Sequence, residues 1–273
     1  MKYSKEQLRK LADDTGFRAE ILEKVLLLMD LMTAFSADPT LKNKIVLKGG
    51  TALNLFYMEL PRLSVDIDLN YIGEIRREKM LRDRQIIEER IIAICELQGF
   101  TVYRKPTLHA GGKIIWRYPS ALGNMGNLEM DLNFMYRVPL LPVSYENSWP
   151  VGENLIEKIP VLDIHELAAG KFSALIDRTL GRDLFDVYNL LIMKSLDFEK
   201  LRLIFTIYAG MGRKKILGQS SQSRLPLILK NYRIGYCHYY LNKFLEVLKT
   251  NRNGRAACYF LCRLRLHKLF PLR

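Results

Sequence analysis

Hydrophobic positions change period twice along this chain, and the changes mark its elements. Residues 4–14 (SKEQLRKLADD) are polar with a sparse apolar edge, which predicts a short helix capped by Ser4 and stopped at Gly16. Ile21, Val25, Leu28 and Met32 then recur at three- and four-residue spacing, and Leu26, Leu27 and Met29 widen the stripe. That spacing predicts a helix over 17–35 that is buried along one side. Asp38-Pro39 interrupts the pattern, and Ile45-Val46-Leu47 reads as a strand. A glycine pair follows, and a helix is expected from about Thr51, packing Leu53, Leu55 and Phe56 and closing at Pro61. Strict alternation begins at Val65: Asp66 and Asp68 share one face, and Val65, Ile67 and Leu69 the other.

Helical spacing returns over Glu74 to Gln98, with Met80, Ile86, Ile87, Ile91, Ile92 and Cys95 on the expected inner side and Gly99 as the stop. Three strands are predicted next, at Phe100–Arg104, Lys113–Tyr118 and Asn127–Met135. The loop from Pro106 to Gly112 holds His109, read as an exposed loop histidine. Residues 138–160 are Pro-rich and aperiodic, which predicts a connector between lobes with a short β segment near Ile156. A helix starts after Asp163, its expected N-cap, with Val161, Leu167 and Leu175 turned to the core; the pattern breaks at Thr179-Leu180-Gly181 and resumes. Residues 198–250 read as helical in two or more pieces, with breaks at Gly210, Gly212, Gly218 and Pro226. The fold class is therefore α+β (α/β mixed): a small mixed sheet flanked by helices over residues 1–140, then a mostly helical C-terminal lobe over 141–273 with a basic tail.

Composition narrows the class. With 49% apolar and 26% charged residues in 273, the chain matches a soluble globular protein. No run approaches the ~20 apolar residues of a membrane span, and MKYSKEQLRK lacks the apolar core of a signal peptide. Four cysteines make no disulfide framework; Cys258 and Cys262, one helical turn apart with His267 beyond, fall short of a four-ligand zinc site and read as a reduced pair. A cytoplasmic protein without a membrane anchor is expected.

Charge adds a partner. Residues 205–273 carry 14 Lys and Arg against one acid, Glu246, while the 28 basic and 28 acidic residues before them cancel. The whole net charge of +13 thus sits in the last quarter, which points to a polyanion, most simply nucleic acid. Within it, Tyr232, Tyr236, Tyr239, Tyr240 and Phe244 interleave with Arg233, His238 and Lys243. Such a mixture suits unpaired RNA bases, and at helical spacing it equally suits aromatics facing a core.

The chemistry-bearing stretch is Lys48 to Asp68. Two carboxylates on one strand face repel each other unless a cation lies between them, and hard divalent cations such as Mg²⁺ share oxygen ligands with phosphates. Gly49 and Gly50 allow a backbone to approach a ligand closely, and a helix beginning there aims N–H groups at an anion. A D-x-D pair or a glycine pair alone is commonplace; the two joined by one helix-length spacer, with Arg62 and Ser64 just before the aspartates, are more specific. The later strand LEMDLNFM places Glu129, Asp131 and Asn133 on one face. Acids are disfavoured in mid-strand, so this face is either simply wet or has a functional reason.

GGT followed by R-x-S-x-D-I-D-L resembles the nucleotidyltransferase toxins of the AbiEii/AbiGii type, a branch of the DNA polymerase β-like superfamily. Two further stretches carry the resemblance: E-L-x-A-x-K ending at Lys171, and R-D-x-x-D formed by Arg182, Asp183 and Asp186. The resemblance implies a core sheet whose Asp66 and Asp68, with a third carboxylate matched by Asp131, hold one or two Mg²⁺ ions. It implies that Lys48, Gly49, Gly50, Thr51, Arg62, Ser64 and Lys171 bind an NTP, and that Lys171 with Asp183 or Asp186 completes the site; spacing does not choose between the two aspartates. The implied activity is transfer of NMP to an acceptor hydroxyl, with the tRNA 3′ end the expected acceptor and a cognate antitoxin the expected partner. A protein or small-molecule acceptor, or a non-catalytic nucleotide- or RNA-binding module of the same fold, are the rivals. A D-x-D glycosyltransferase is more distant, because it leaves GGT and Lys171 without a role.

Overall fold

The computed structural model describes residues 2–60, 62–105, 111–178, 180–192 and 196–211. Pro61, His109, the cysteine pair and the chain from 212 onward, which holds the basic tail, lie outside the described residues. The chain divides into two compact units, Met1–Asp163 and Ile164–Arg273.

The first unit is built on a mixed sheet. Its strands are β1 (Ile45–Lys48), β2 (Asp66–Tyr71), β3 (Thr101–Arg104), β4 (Gly111–Pro119), β5 (Met125–Asn133), β6 (Ser144–Glu146) and β7 (Ile159–Val161). They lie in the order β3-β4-β5-β2-β1-β7-β6. β2 and β5 run parallel, as do β1 and β7, and the remaining neighbours are antiparallel. Alternation decides the faces: Ile67, Leu69, Leu128, Met130, Leu132, Ile114 and Trp116 are buried on one side. Helices α2 (Ala19–Ala37) and α4 (Arg77–Leu97) supply Leu22, Val25, Leu28, Leu31, Ile87 and Ile91 to the core.

Helix ends follow local chemistry. α1 (Lys5–Thr15) opens with a full capping box, in which Gln7 N donates to Ser4 Oγ at 3.2 Å and Ser4 N donates to Gln7 Oε1 at 2.8 Å. Gly16 closes it in the left-handed region at φ +73°. On α4 the inner side departs from the expected stripe: Ile86 is half exposed, and Ile94 is buried instead. A 21-residue helix drifts relative to any short stripe drawn on it, so the buried face moves round by its end.

The Pro-rich stretch belongs to the sheet. β6 and β7 pair with each other, and β7 joins β1 through Leu47 opposite Val161. Ile156 is buried but lies in no strand. The first unit therefore runs to Asp163, beyond the 140/141 boundary expected from composition. Two three-residue strands are too short to show a period, which is why the stretch read as a connector.

The second unit contains α5 (Ile164–Arg178), α6 (Gly181–Ile192) and α7 (Phe198–Met211). Leu167, Leu175, Leu184, Val187, Leu190, Leu201 and Ile204 form its core, and Phe172 meets Phe205 edge to face. Among the described residues no helix is long and apolar enough to cross a membrane.

Candidate active site

The site starts where β1 ends. Lys48 closes the strand, and Gly49 opens a short helix, α3 (Gly49–Ala52), that passes into a π-turn over Leu53–Tyr57. The helix thus begins two residues before the expected Thr51. Gly49 has φ +79°, and a Cβ there would lie 2.0 Å from Asp68 Oδ2. Only glycine satisfies both the left-handed backbone and the close approach. Gly50 and Thr51 are buried. The Thr51 hydroxyl donates to the Asp66 carbonyl at 2.5 Å, and Asn54 Nδ2 donates to the Gly50 carbonyl at 2.8 Å. The Thr51 side chain is therefore committed to fastening this turn to β2, leaving main-chain groups as its means of reaching a ligand.

Register brings the carboxylates together. β2 lies between β1 and β5, with Asp68 opposite both Lys48 and Asp131, and Asp66 opposite Glu129. Directly opposed residues share a face, so Asp66, Asp68, Glu129 and Asp131 stand together on two adjacent strands about 5 Å apart. All four are partly exposed. Arg62 and Ser64, each half buried, lie in the loop just before β2.

Two lysines reach this face. Lys48 Nζ lies 3.9 Å from Asp131 Oδ2. Lys113, on β4 opposite Asp131, forms an ion pair with Glu129. Its pKa is raised, chiefly by the hydrogen bond to Glu129 and, against the cost of burial, by the charges of Asp66, Glu129 and Asp68. Sequence reasoning missed Lys113. The alternation of Lys113, Ile115 and Arg117 against Ile114, Trp116 and Tyr118 was readable and assigns its face, but not its neighbour strand.

Oxygen donors on one face suit a hard divalent cation, and the glycine cradle over Asp68 leaves room that a side chain would fill. As they stand, no three His, Cys, Asp or Glu side chains among the described residues gather into a ready metal cluster. The donor types fit; their side chains are spread between the two lysines. A cleft of about 800 Å³ lined by Glu23, Asp30 and Tyr118, and a smaller one of about 230 Å³ beside β1, include none of these carboxylates.

A second cluster lies within the helical unit. Lys171 on α5 places Nζ 2.8 Å from Asp186 Oδ2 and 3.7 Å from Asp183 Oδ1. Both carboxylates have fully buried side chains, and the lysine side chain is 11% exposed. Asp183 and Asp186 are three apart on α6 and present one face to the same ammonium. On the same helix as Lys171, buried Glu166 accepts from the Tyr208 hydroxyl at 2.8 Å, and His165 Nε2 accepts from the Asp197 backbone N–H at 3.0 Å. Arg182 is exposed.

Comparison with known proteins decides the family. The model of the nucleotidyl transferase AbiEii toxin family, a type IV toxin–antitoxin system, matches residues 30–242. The chain belongs to the AbiEii family. No curated protein matches the chain. Among solved structures, it is similar to MenT4, a nucleotidyltransferase toxin from Mycobacterium tuberculosis H37Rv, with 16% identity, 95% of this chain and 98% of that chain covered, and a TM-score of 0.65. At that identity the likeness shows the fold. The AbiEii-family chain is thus a nucleotidyltransferase toxin, and the carboxylate face and the Lys171 cluster are the two features of it that chemistry singles out.

Proposed function

We propose that this AbiEii-family toxin is a Mg²⁺-dependent enzyme that transfers NMP from an NTP to the 3′ end of tRNA. The observation that carries this reading is the register placing Asp66, Asp68 and Asp131 on one face, with Gly49 closing over Asp68. On this reading Asp66, Asp68 and Asp131 hold the divalent cation. Bound there, it supplies positive charge to the triphosphate and to the oxygens that carry charge in the transition state. Main-chain groups of Gly49, Gly50 and Thr51 bind phosphate oxygens, and Lys48, Arg62 and Ser64 border the same pocket. Lys48 exchanges its partner Asp131 for phosphate when the nucleotide enters.

In the second unit, Lys171 is the cation that the family resemblance singles out. Its compact ammonium suits a triphosphate, and Asp183 and Asp186 hold it in one orientation. The acceptor hydroxyl oxygen bonds to the α-phosphorus, the bond to the bridging oxygen breaks, and pyrophosphate leaves while the hydroxyl proton passes to the carboxylate face. The +13 charge of residues 205–273 supports a nucleic-acid acceptor independently. The setting is cytoplasmic, where NTPs, tRNA and a cognate antitoxin meet.

The test incubates the protein with Mg²⁺, each α-³²P-labelled NTP in turn and total tRNA, beside Asp66→Ala. Label entering tRNA only with the wild type is the expected result. Label entering protein or a small molecule instead assigns the acceptor to one of those classes. NTP binding without transfer to anything would leave a binding module.

A further inference from the structure

The face that carries the carboxylates does not end at β5. On β4, Lys113, Ile115 and Arg117 lie opposite Asp131, Glu129 and Asn127, so all three continue the same face. On the edge strand β3, Thr101 lies opposite Arg117 and Arg104 opposite Ile115. The register shifts by one between Val102 and Arg104, leaving Tyr103 as the extra residue of a bulge. Bulges re-aim side chains, and this one has a visible result: the Tyr103 ring lies 3.6 Å under the Arg117 guanidinium. Tyr103 is therefore drawn onto the carboxylate face, while remaining 57% exposed.

The core of the sheet is complete without this arrangement. Tyr103, Arg104 and Arg117 are all exposed, and the core side of β4 is complete with Ile114, Trp116 and Tyr118. Moving outward from Asp68 the face changes sign, from acids on β2 and β5, through Lys113, to Arg117 over the Tyr103 ring and Arg104 opposite Ile115. Exposed aromatic rings and guanidinium planes are the surfaces on which unpaired bases stack, and the cations beside them take the phosphates. Three strand steps of about 5 Å and two to three residues of about 3.3 Å along the strand separate Tyr103 from Asp68 by roughly 17 Å, within reach of one short stretch of single strand.

We propose that Lys113, Arg117 and Tyr103 form a track for the single-stranded end of an RNA acceptor, with a base stacked on the Tyr103–Arg117 pair and the terminal hydroxyl led toward Asp66 and Asp68. The inference rests on the RNA-acceptor reading above. It makes the toxin's preference for an unpaired end a property of its first unit, separate from the basic tail.

The test measures binding of a fluorescein-labelled single-stranded oligoribonucleotide ending in CCA by full-length wild type, Tyr103→Ala, Tyr103→Phe and Arg117→Ala, with NTP binding and labelling of the same oligonucleotide followed in parallel. Tyr103→Ala should weaken RNA binding roughly 5- to 100-fold, the range for loss of one stacked base. Tyr103→Phe should retain it, because the ring and not the hydroxyl is used. NTP affinity should be equal in all four, which also verifies folding. RNA affinity and labelling in Tyr103→Ala equal to wild type would overturn the track while leaving the acceptor reading intact. A wild type that binds NTP but neither binds nor labels RNA would overturn the acceptor reading, and the track with it.

Discussion

The toxin holds two clusters of lysine and aspartate, and their surroundings are opposite. On the sheet, four carboxylates share a partly exposed face with Lys48 and Lys113. In the helical unit, two carboxylates with fully buried side chains enclose one nearly buried lysine. The first has an excess of negative charge and solvent to relax into, so it can release its lysines and take up a cation. The second sits where dielectric screening is weak, and its pairs are worth keeping because a partner left alone would be a charge in an apolar interior. On the function proposed above, the first cluster takes up the cation and the second holds Lys171 in place.

Asp68→Ala should break this contrast most strongly on the functional side. Losing one donor of the cation site removes several kcal/mol of transition-state stabilisation, and each ~1.4 kcal/mol is tenfold in rate. Transfer should fall at least about a thousandfold in the labelling assay. Thermal unfolding should be nearly unchanged, because the face is partly exposed and the attraction to Lys113 is lost together with the repulsion among carboxylates. A large fall in Tm with little loss of activity would reverse the assignment of the two clusters.

Asp186→Asn tests the buried cluster with the opposite signature. It removes the closer of the two partners of Lys171, and breaking a buried pair costs about 3–5 kcal/mol of stability. Denaturant unfolding should show that loss, and activity should fall as well. The triple variant Lys171→Met with Asp183→Asn and Asp186→Leu removes every charge of the cluster and should recover part of the stability while leaving activity lost. Recovery of both would show that Lys171 serves the fold alone.

Gly49→Ala links geometry to function at an intermediate scale. The left-handed backbone costs a substituted residue about 1–2 kcal/mol, and the new methyl must push Asp68 away from a 2.0 Å overlap. Destabilisation of about that size, measured by denaturant, should accompany loss of transfer. The stability cost comes from the backbone, and the lost activity from the displaced carboxylate.

Much of the open site was legible because strand period 2 is a strong code. Asp66 and Asp68 on one face, and Glu129 and Asp131 on another, follow from alternation alone. What alternation does not carry is which strands meet. The parallel pairing of β2 with β5 joins residues more than sixty apart, and without it Lys113 was an unremarked strand residue. The reach of β6 and β7 into the sheet was hidden for a different reason: three-residue strands have no period. In the helical unit the resemblance located Lys171, Asp183 and Asp186, yet the choice between the aspartates was open. The fold gives both to the same ammonium, at 2.8 and 3.7 Å, because positions three apart on a helix share a face.

The smallest effect belongs to a pair that lies between the two extremes. Asp83 on α4 accepts from the Tyr71 hydroxyl at 2.5 Å and lies 3.1 Å from Lys44, with a quarter of its side chain exposed. Burial pushes the Asp83 pKa up, but the hydrogen bonds from Tyr71 and Lys44 and the charge of Lys44 outweigh it, and the pKa is lowered. A carboxyl lowered in the folded state contributes stability that is present above its ordinary value near 3.8 and is lost as pH falls through the lower folded value. Tyr71→Phe removes one of the groups that lowers it. The variant should lose about 1 kcal/mol or less near neutral pH, since the site is partly screened, and the gap to wild type should close below that carboxylate range. Thermal unfolding across an acid series reads both. A gap that stays constant to the lowest pH would mean that the Tyr71 hydroxyl acts independently of the charge on Asp83, and no gap at any pH would mean that the ring packed against Phe134 carries the contribution of Tyr71.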